Sequence, residues 1–392
     1  LVSLIANFVV FFWIELLVAI GFAGSCLGLI YTPLALIFDH TCLVLLILLK
    51  TIVFWLSELK WATFYLPPPH IAFILLIYIL IYLCFSVGFS FKRHQNYGII
   101  ALIFVAVYLM WSIWPNHSLK MYVFDVGQGD AVLIVSPKRR TVLIDSGPIS
   151  INYRTKKIYY DAGKHTLIPA FRKLGVNKLD IVITTHFDRD HVGGLESILS
   201  SIPVGLIIDH GYEASYPDFY RDYIQTEVTH LPISSLPSPH YTLQIDKSTV
   251  MDVLLPYPSQ DVSTRSKNDR SLVVKIRHQD HSFLFTGDLS LSGESFLVDH
   301  YPDLIDVDIL KLGHHGSHTS SSQLFLEAVS TEIGIVSAGR FNRFGHPAQS
   351  VIERTERMGM SILSTRSSGC IIFLAKDNTI CYLSYLNLNN LF

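Results

Sequence analysis

A short segment after a predicted strand carries four side chains of the types that bind metal ions. The strand is expected at residues 179–183, an apolar run rich in β-branched residues. Two glycines close the segment and allow a tight turn before a helix expected from about Leu195. A strand that ends in such a cluster holds its ligands at the edge of a sheet, where they can serve two neighbouring ions. The four side chains are His186, Asp188, Asp190 and His191.

Other acids and histidines follow predicted strands further along the chain. Asp145 follows a strand at 141–144, and Asp288 follows the return strand of a hairpin within 268–286. His314 and His315 follow a strand at 306–312. Adjacent side chains diverge on a strand, so these two histidines are not expected to bind the same ion.

These segments resemble the motifs of a known family. The residues from His186 to His191 resemble the H-x-H-x-D-H signature of the metallo-β-lactamase fold, with Asp188 where most members carry the second histidine. That variant is similar to the ComEC/Rec2 family of DNA-uptake channel proteins, and the resemblance covers the chain from about Met121 to its end. The further matching motifs are V-G-Q-G-D at 126–130, N-D-x-S at 268–271, T-G-D at 286–288, K-x-x-H-H-G-S at 311–317 and N-x-F-G-H-P at 342–347.

The resemblance implies an αββα sandwich of two mixed sheets face to face, with helices outside and the site at strand ends along one edge. The alternating order of strands and helices by itself favours a layered α/β domain. Further helices are expected at 167–174, 220–225 and 348–358, a strand at 205–209, a final hairpin at 369–383, and a variable loop rich in proline and serine before residue 249.

The resemblance also implies two divalent ions. Asp288 would bridge them, and His314 is favoured over His315 as a ligand. One ion would be held by His186, Asp188 and Asp288, with Asp269 as a candidate further ligand, and the other by Asp190, His191, Asp288 and His314. The resemblance implies that Asp145 supports the histidine loop by hydrogen bonding without binding a metal. Asp130, Asn268, Asp269 and His315 are further candidate ligands or supporting residues, although Asp130 is equally compatible with capping its own turn.

The ligand types favour a hard ion. Aspartate at 188 replaces one family histidine, and Asn268-Asp269 replaces another, which shifts the preference toward Mn²⁺ or Mg²⁺ and leaves Zn²⁺ as an alternative. Such a pair supports in-line attack of water on phosphorus. Asp190, Lys311 and His346 are the candidate catalytic residues, although His346 is equally compatible with a helix start before Pro347.

The N-terminal part has the composition of a membrane segment. The chain of 392 residues is 50% hydrophobic and 16% charged, and residues 1–116 carry only seven of its charges. Four spans are expected, at about 4–30, 34–56, 71–91 and 98–114. The basic loop at 92–94 would face the cytoplasm, which places the following domain, 117–392, in the periplasm or outside the cell. We expect an inner-membrane fragment of a larger channel, followed by a metallo-β-lactamase-like domain.

Three functions remain open. The family implies a DNA-uptake channel whose domain degrades the non-transported strand, with single-stranded or double-stranded DNA, membrane lipid, a DNA receptor and a cytoplasmic translocation ATPase as partners. The missing third-motif histidine favours a non-catalytic domain that guides DNA. The C-terminal part carries slightly more acidic than basic residues, which fits a phosphodiesterase acting on a small or envelope-linked ester. Bulk charge does not predict nucleic-acid binding.

Overall fold

The computed structural model describes residues 2–57 and 118–385, apart from 153, 156, 227, 256 and 258–264, together with single positions between 71 and 104. Its backbone packs as two units, Leu1–Leu66 and Pro67–Phe392. The expected domain boundary at residue 116 lies outside the described residues and stays a prediction.

Two long apolar helices, Val2–Gly28 and Thr32–Ser57, form the first unit. They approach closely at Gly24, where an added Cβ would lie 2.8 Å from Cβ of Phe38. The stretches Ala6–Gly28 and Thr32–Ser57 are long and apolar enough to cross a membrane, by length and composition alone. They coincide with the first two expected spans. Only single positions of the other two expected spans are described, and the basic loop at 92–94 lies outside the described residues.

Strands of the second unit form two large mixed sheets and one small one among the described residues. The strands are β1 Leu119–Val123, β2 Val132–Val135, β3 Thr141–Ile144, β4 Ile149–Ile151, β5 Ile158–Asp161, β6 Leu179–Ile183, β7 Val204–Asp209, β8 Thr229–Pro232, β9 His240–Asp246, β10 Thr249–Leu254, β11 Val273–His278, β12 His281–Phe285, β13 Ile309–Lys311, β14 Ile333–Val336, β15 Ser361–Ser364, β16 Cys370–Lys376 and β17 Thr379–Tyr385. The strand order of the first large sheet is β17-β16-β1-β2-β3-β6-β7-β8, and that of the second is β15-β14-β13-β12-β11-β10-β9. Strands β4 and β5 form the small sheet.

Parallel pairing brings the carboxyl ends of several strands together. In the first sheet β3, β6, β7 and β8 run parallel, and in the second β12, β13, β14 and β15 do so. The loops that follow β3, β6, β12 and β13 carry most of the candidate site residues. This pairing positions the site.

The core confirms the layered arrangement expected from the sequence. On β6, Ile181 and Ile183 join the apolar cluster between the two large sheets, whereas Val182 points to the opposite face. On β12, Phe283 and Phe285 join the same central cluster, and Leu284 packs with the outer helices. Alternation along each strand therefore buries both faces of both sheets. The result is helix, sheet, sheet, helix.

The helices largely follow the sequence expectations. The one at Ile168–Leu174 ends at Gly175, which adopts the left-handed conformation typical of a helix stop. Among the described residues of the second unit, the other α-helices are Arg189–Val192, Leu195–Ser201, Asp218–Thr226, Leu291–His300, Pro302–Ile305, Gln323–Val329, Gln349–Arg357 and Thr365–Ser368.

The region expected as a variable loop differs most from the sequence prediction. It contains β8, β9 and the start of β10. Turn-forming proline and serine residues at 234–239 separate these strands, and their partly buried apolar residues Leu231, Tyr241 and Leu243 pack against the central cluster. Burial against a sheet formed elsewhere in the chain decides their conformation, which local composition did not indicate.

Candidate metal centre

Asp288 lies at the middle of a ring of four histidines. Its Oδ1 is 3.1 Å from Nε2 of His191 and 3.7 Å from Nε2 of His315. Its Oδ2 is 3.6 Å from Nε2 of His314 and 3.9 Å from Nε2 of His186. Each carboxylate oxygen thus faces two imidazole nitrogens, an arrangement suited to a carboxylate that bridges two ions.

Two more aspartates complete the side of Oδ1. Asp190 places Oδ2 3.3 Å from Nε2 of His315, and Asp130 places Oδ1 3.3 Å from Nδ1 of the same ring. One candidate ligand atom from each of Asp130, His191, Asp288 and His315 lies within 4.8 Å of the others, and all four side chains are buried. This is a compact donor set of two carboxylates and two imidazoles.

Several donor atoms of this set lack the hydrogen bonds that burial normally requires. Within the described part of the chain, no partner at an acceptable angle satisfies Nε2 of His186 or His191, either ring nitrogen of His315, or Oδ1 of Asp288. A buried polar atom without a partner costs about 1–3 kcal/mol. Because the atoms converge on one carboxylate and belong to types that bind divalent ions, the residues fit a metal centre.

Asp145 fixes the orientation of His191. It follows β3 in a left-handed conformation, with φ of 56°, and is buried. Its Oδ2 accepts a hydrogen bond from Nδ1 of His191 at 2.7 Å, and its Oδ1 accepts one from the backbone N–H of Thr185 at 2.8 Å. When the ring of His191 is neutral, its proton therefore lies on Nδ1, which leaves Nε2 facing Asp288 as the candidate ligand atom.

The acids and histidines on the side of Oδ1 stabilise one another's charge. Burial by itself would lower the pKa of His315, but Asp288 and Asp130 outweigh it and raise that pKa to about 9. Burial is likewise outweighed at His191, where Asp288 and Asp145 raise the pKa well above its ordinary value. Against the effect of burial, His191 and His315 hold the pKa of Asp288 well below its usual range. Histidines bind metals as neutral rings, so a divalent ion would displace these protons.

The histidines on the side of Oδ2 are neutral instead. Burial lowers the pKa of His186 to about 4, and the charge of His191 adds to the shift. Burial also lowers the pKa of His314. Both rings are thus ready to bind a cation without losing a proton.

His315 lies beside His191, with ring centres 5.3 Å apart, whereas His314 was expected at the ion of His191 and His315 as a candidate ligand or supporting residue. His314 faces the same oxygen of Asp288 as His186 does. The prediction that His314 and His315 do not bind the same ion fits rings that face different oxygens of Asp288, although Gly313–Gly316 is a tight helical turn and not a strand, with left-handed φ values of 50° and 56° at the two histidines. That backbone turns both rings toward Asp288.

Three other candidate residues contact groups other than Asp288. Asp188 has a side chain 33% exposed and lies 3.4 Å from Nζ of Lys267. Nδ2 of Asn268 is 3.4 Å from Nδ1 of His314. Asp269 is buried and accepts hydrogen bonds from the hydroxyls of Ser290 and Ser266.

The two positively charged candidates differ in access. Lys311 is 2% exposed, pairs with Asp130 and donates to the carbonyl of Leu312 at 3.2 Å. It therefore balances the charge of Asp130 and does not face solvent. His346 precedes the helix that begins at Gln349, and its ring centre is 5.8 Å from that of His314 and 6.4 Å from that of His315. It lines the centre at its rim.

The comparisons agree with this fold. The sequence profile of the metallo-beta-lactamase superfamily matches residues 124–340. The chain belongs to this superfamily.

Curated relatives confirm the more specific resemblance within the superfamily. "ComE operon protein 3" of Bacillus subtilis is 33% identical over 65% of this chain and 33% of its own length. "Competence protein ComA" of Neisseria gonorrhoeae is 31% identical over 66% of this chain and 33% of its own length. "Recombination protein 2" of Haemophilus influenzae is 29% identical over 70% of this chain and 31% of its own length. The chain spans about a third of the length of these ComEC/Rec2 relatives.

A second buried polar cluster next to the superfamily loop was missed from the sequence. Asp209 at the end of β7 is fully buried and accepts hydrogen bonds from Tyr216 at 2.6 Å and from His230 at 2.7 Å, as well as from Tyr220. Phe187, between the candidate ligands 186 and 188, packs its ring 5.0 Å from that of Tyr220. Asp209 is the last residue of β7, which runs parallel to β6, and its position at this strand end was the sequence feature that could have indicated the cluster.

His210 belongs to the same cluster. It is 1% exposed, and its ring packs against that of Phe187 with 5.2 Å between ring centres. The cluster therefore supports the backbone of the H-x-D-x-D-H loop from behind.

Proposed function

We propose that this chain belongs to a membrane protein of DNA uptake and that its metallo-beta-lactamase domain hydrolyses phosphodiester bonds in DNA with two divalent ions. The observation that carries the hydrolytic part is the position of Asp288, with two imidazoles at each carboxylate oxygen. The names of the relatives, which refer to competence and recombination, support DNA as the substrate.

The two ions would divide the donor set at Asp288. His186 and His314, with Asp188 as the nearest acid in sequence, would hold the ion at Oδ2. The ion at Oδ1 would take Asp130, Asp190, His191 and His315 as candidate ligands. Bound ions of this kind neutralise phosphoryl oxygens and lower the pKa of water toward neutrality.

The chain's own residues orient this set and complete its rim. Asp145 fixes the ligand nitrogen of His191, and Lys311 balances the buried charge of Asp130. Burial lowers the pKa of His346, so its ring is neutral at pH 7. Nε2 of Gln128 lies 3.5 Å from Nδ1 of His346, which leaves the other ring nitrogen as a donor to a phosphate oxygen.

The types of the donor atoms favour some divalent ions over others. Four imidazoles make Mg²⁺, which prefers oxygen ligands, a poor match. Three carboxylates around the same centre suit Mn²⁺ better than a soft ion. We therefore favour Mn²⁺, with Zn²⁺ as the alternative.

The location outside the cytoplasm remains part of the proposal. Two apolar helices, Ala6–Gly28 and Thr32–Ser57, are compatible with a membrane anchor. Degradation of one DNA strand there would accompany transport of the other through the membrane, with a DNA receptor and a translocation ATPase as partners.

The test is cleavage of labelled single-stranded and double-stranded DNA by the full chain in detergent, with Mn²⁺, Zn²⁺ or Mg²⁺ and with EDTA. Wild type should cut only with a divalent ion, and Asp288→Ala and His191→Ala should reduce the rate at least 100-fold, roughly the loss expected when a centre of this kind is dismantled. Asp218→Ala, whose side chain is 98% exposed, is the matched control and should cut like wild type.

A non-catalytic domain that guides DNA is the second candidate. Its support is that Asn268 and Asp269 stand where the fold's third-motif histidine is expected and that Asp269 is engaged by Ser290. Binding of DNA by a folded chain that cuts nothing with any of the three ions would favour it. Turnover of a chromogenic phosphodiester without DNA cleavage would instead favour a small or envelope-linked ester as the substrate.

A further inference from the structure

Two phenylalanines project into solvent from the loop 340–344, next to the metal centre. Phe341 is 96% exposed and Phe344 is 59% exposed. Complete burial of such a side chain is worth about 1.5–3 kcal/mol, so two exposed rings in one short loop leave unused a gain that binding a partner could supply. An exposed apolar pair beside a candidate active site indicates a binding surface.

The loop is held in shape by Asn342. Its side-chain amide donates to the carbonyl oxygens of Gly339 at 2.9 Å and His346 at 2.8 Å. Its Oδ1 accepts a hydrogen bond from the backbone N–H of His346 at 2.8 Å. Because these bonds fix the backbone on both sides of Asn342, the two rings are presented in a preformed arrangement, which lowers the entropic cost of binding.

Arginines alternate with the rings. Arg340 and Arg343 are both exposed, and the guanidinium of Arg343 lies 5.2 Å from the ring centre of Phe344. Aromatic rings that stack on bases, with cations that contact the phosphates between them, are the two elements by which proteins bind single-stranded nucleic acid without sequence preference. A duplex keeps its bases stacked inside and offers no free base face to these rings.

The loop leads directly to the centre. The ring of Phe344 stacks 5.8 Å from that of His346, which in turn is 5.8 Å from the ring of His314. A strand bound on the loop would therefore pass its next phosphates over His346 toward Asp288.

Resting on the proposed function, we propose that Arg340, Phe341, Arg343 and Phe344 form a platform for single-stranded nucleic acid that delivers the strand to the metal centre. Phe341 and Phe344 stack on successive bases, and the two arginines contact the intervening phosphates. Asn342 is the positioning residue that holds the platform.

The experiment measures binding without cleavage. The full chain in detergent, with EDTA present, is titrated into a fluorescein-labelled 25-nucleotide deoxythymidine strand, and Kd is read from fluorescence anisotropy. Phe341→Ala with Phe344→Ala should raise Kd at least tenfold, the size expected from the loss of two stacked bases. Phe341→Trp, which retains a stacking ring, should bind like wild type.

Two further variants separate charge from stacking. Arg340→Gln with Arg343→Gln should lower the slope of log Kd against log salt concentration by about 1.4, the value for two phosphate contacts on a single strand. Leu324→Ala removes a side chain that is 63% exposed in the helix Gln323–Val329, outside the loop, and should leave Kd unchanged. Circular dichroism checks that each variant is folded.

An unchanged Kd in the double phenylalanine variant, or no binding by wild type, overturns the platform. The platform is also overturned if the double phenylalanine variant binds DNA normally but no longer binds phosphatidylglycerol vesicles, since that result assigns the loop to a membrane surface. A chain that binds DNA through the loop and cuts none with any divalent ion supports the platform while refuting the proposed nuclease.

Discussion

Replacement of Asp145 by asparagine should weaken metal binding without touching a metal ligand. Oδ2 of Asp145 accepts hydrogen bonds at 2.7 Å from both Nδ1 of His191 and Oγ1 of Thr185, and Oδ1 accepts the backbone N–H of Thr185. Asparagine has one oxygen for these donors. If that oxygen stays with the backbone of Thr185, the amide N–H groups face His191.

His191 must then accept at Nδ1 and carry its proton on Nε2, the atom 3.1 Å from Asp288. A protonated Nε2 has no lone pair for a cation. If the amide is turned the other way, it leaves two buried donors facing each other at Thr185, which costs about 1–3 kcal/mol. Loss of such an orienting partner lowers metal affinity roughly 10- to 100-fold, or about 1.4–2.8 kcal/mol.

Competition of the full chain with a fluorescent chelator for Mn²⁺ measures this affinity. Asp246→Asn is the control, since Asp246 is a buried acid that accepts the backbone N–H of Ser248 at 3.0 Å and ends β9 in the other large sheet. In a chain that already carries His191→Ala, Asp145→Asn should lower the affinity for Mn²⁺ little further. If Asp145→Asn binds Mn²⁺ with wild-type affinity, Asp145 does not orient His191 for metal binding.

Three further outcomes are expected. Affinity for Mn²⁺ should rise with pH up to about 9, because His315, whose pKa is raised to about 9, must lose its proton to bind the ion. Calorimetry in buffers of different ionisation enthalpy should detect the released proton, and an affinity that does not change with pH would contradict this expectation. Burial raises the pKa of Glu294 from 4.5 to about 7, so the folded state binds its proton more tightly than the unfolded state does. The free energy of unfolding should therefore fall by on the order of 3 kcal/mol as pH rises from about 4.5 to 7. Urea titrations should show a smaller fall in Glu294→Gln. Tyr220→Phe removes a buried hydrogen bond to Asp209 and should lower the free energy of unfolding in urea by about 1.5–3 kcal/mol. Tyr212→Phe, at a partly exposed position, should lower it by under about 1 kcal/mol. Equal losses in the two variants would argue against a stabilising role for the cluster around Asp209.

Patterns of short range were sufficient for much of the second unit. The β-branched run 179–183 became β6, and the Gly175 stop ended the preceding helix where expected. The order of strands and helices, with the family motifs, predicted two sheets with helices outside. Local alternation and turn residues act over a few positions, so a sequence reports them directly.

The same patterns failed where distant segments decide the conformation. Strands β8, β9 and β10 carry weak local signals and form because apolar side chains find a sheet to cover. The buried acid Asp209 is likewise recognisable only when Tyr216, Tyr220 and His230 surround it.

Acids and histidines that could form a metal centre are visible in the sequence, as is the fact that most of them follow strands. How these side chains are arranged around Asp288 depends on the packing of the two sheets. His315 joins His191 because two left-handed residues turn the 313–316 backbone, and Asp130 joins them because it follows β1 in the opposite sheet from β12. Distances between side chains on different strands depend on sheet pairing and packing, which no single stretch of sequence contains.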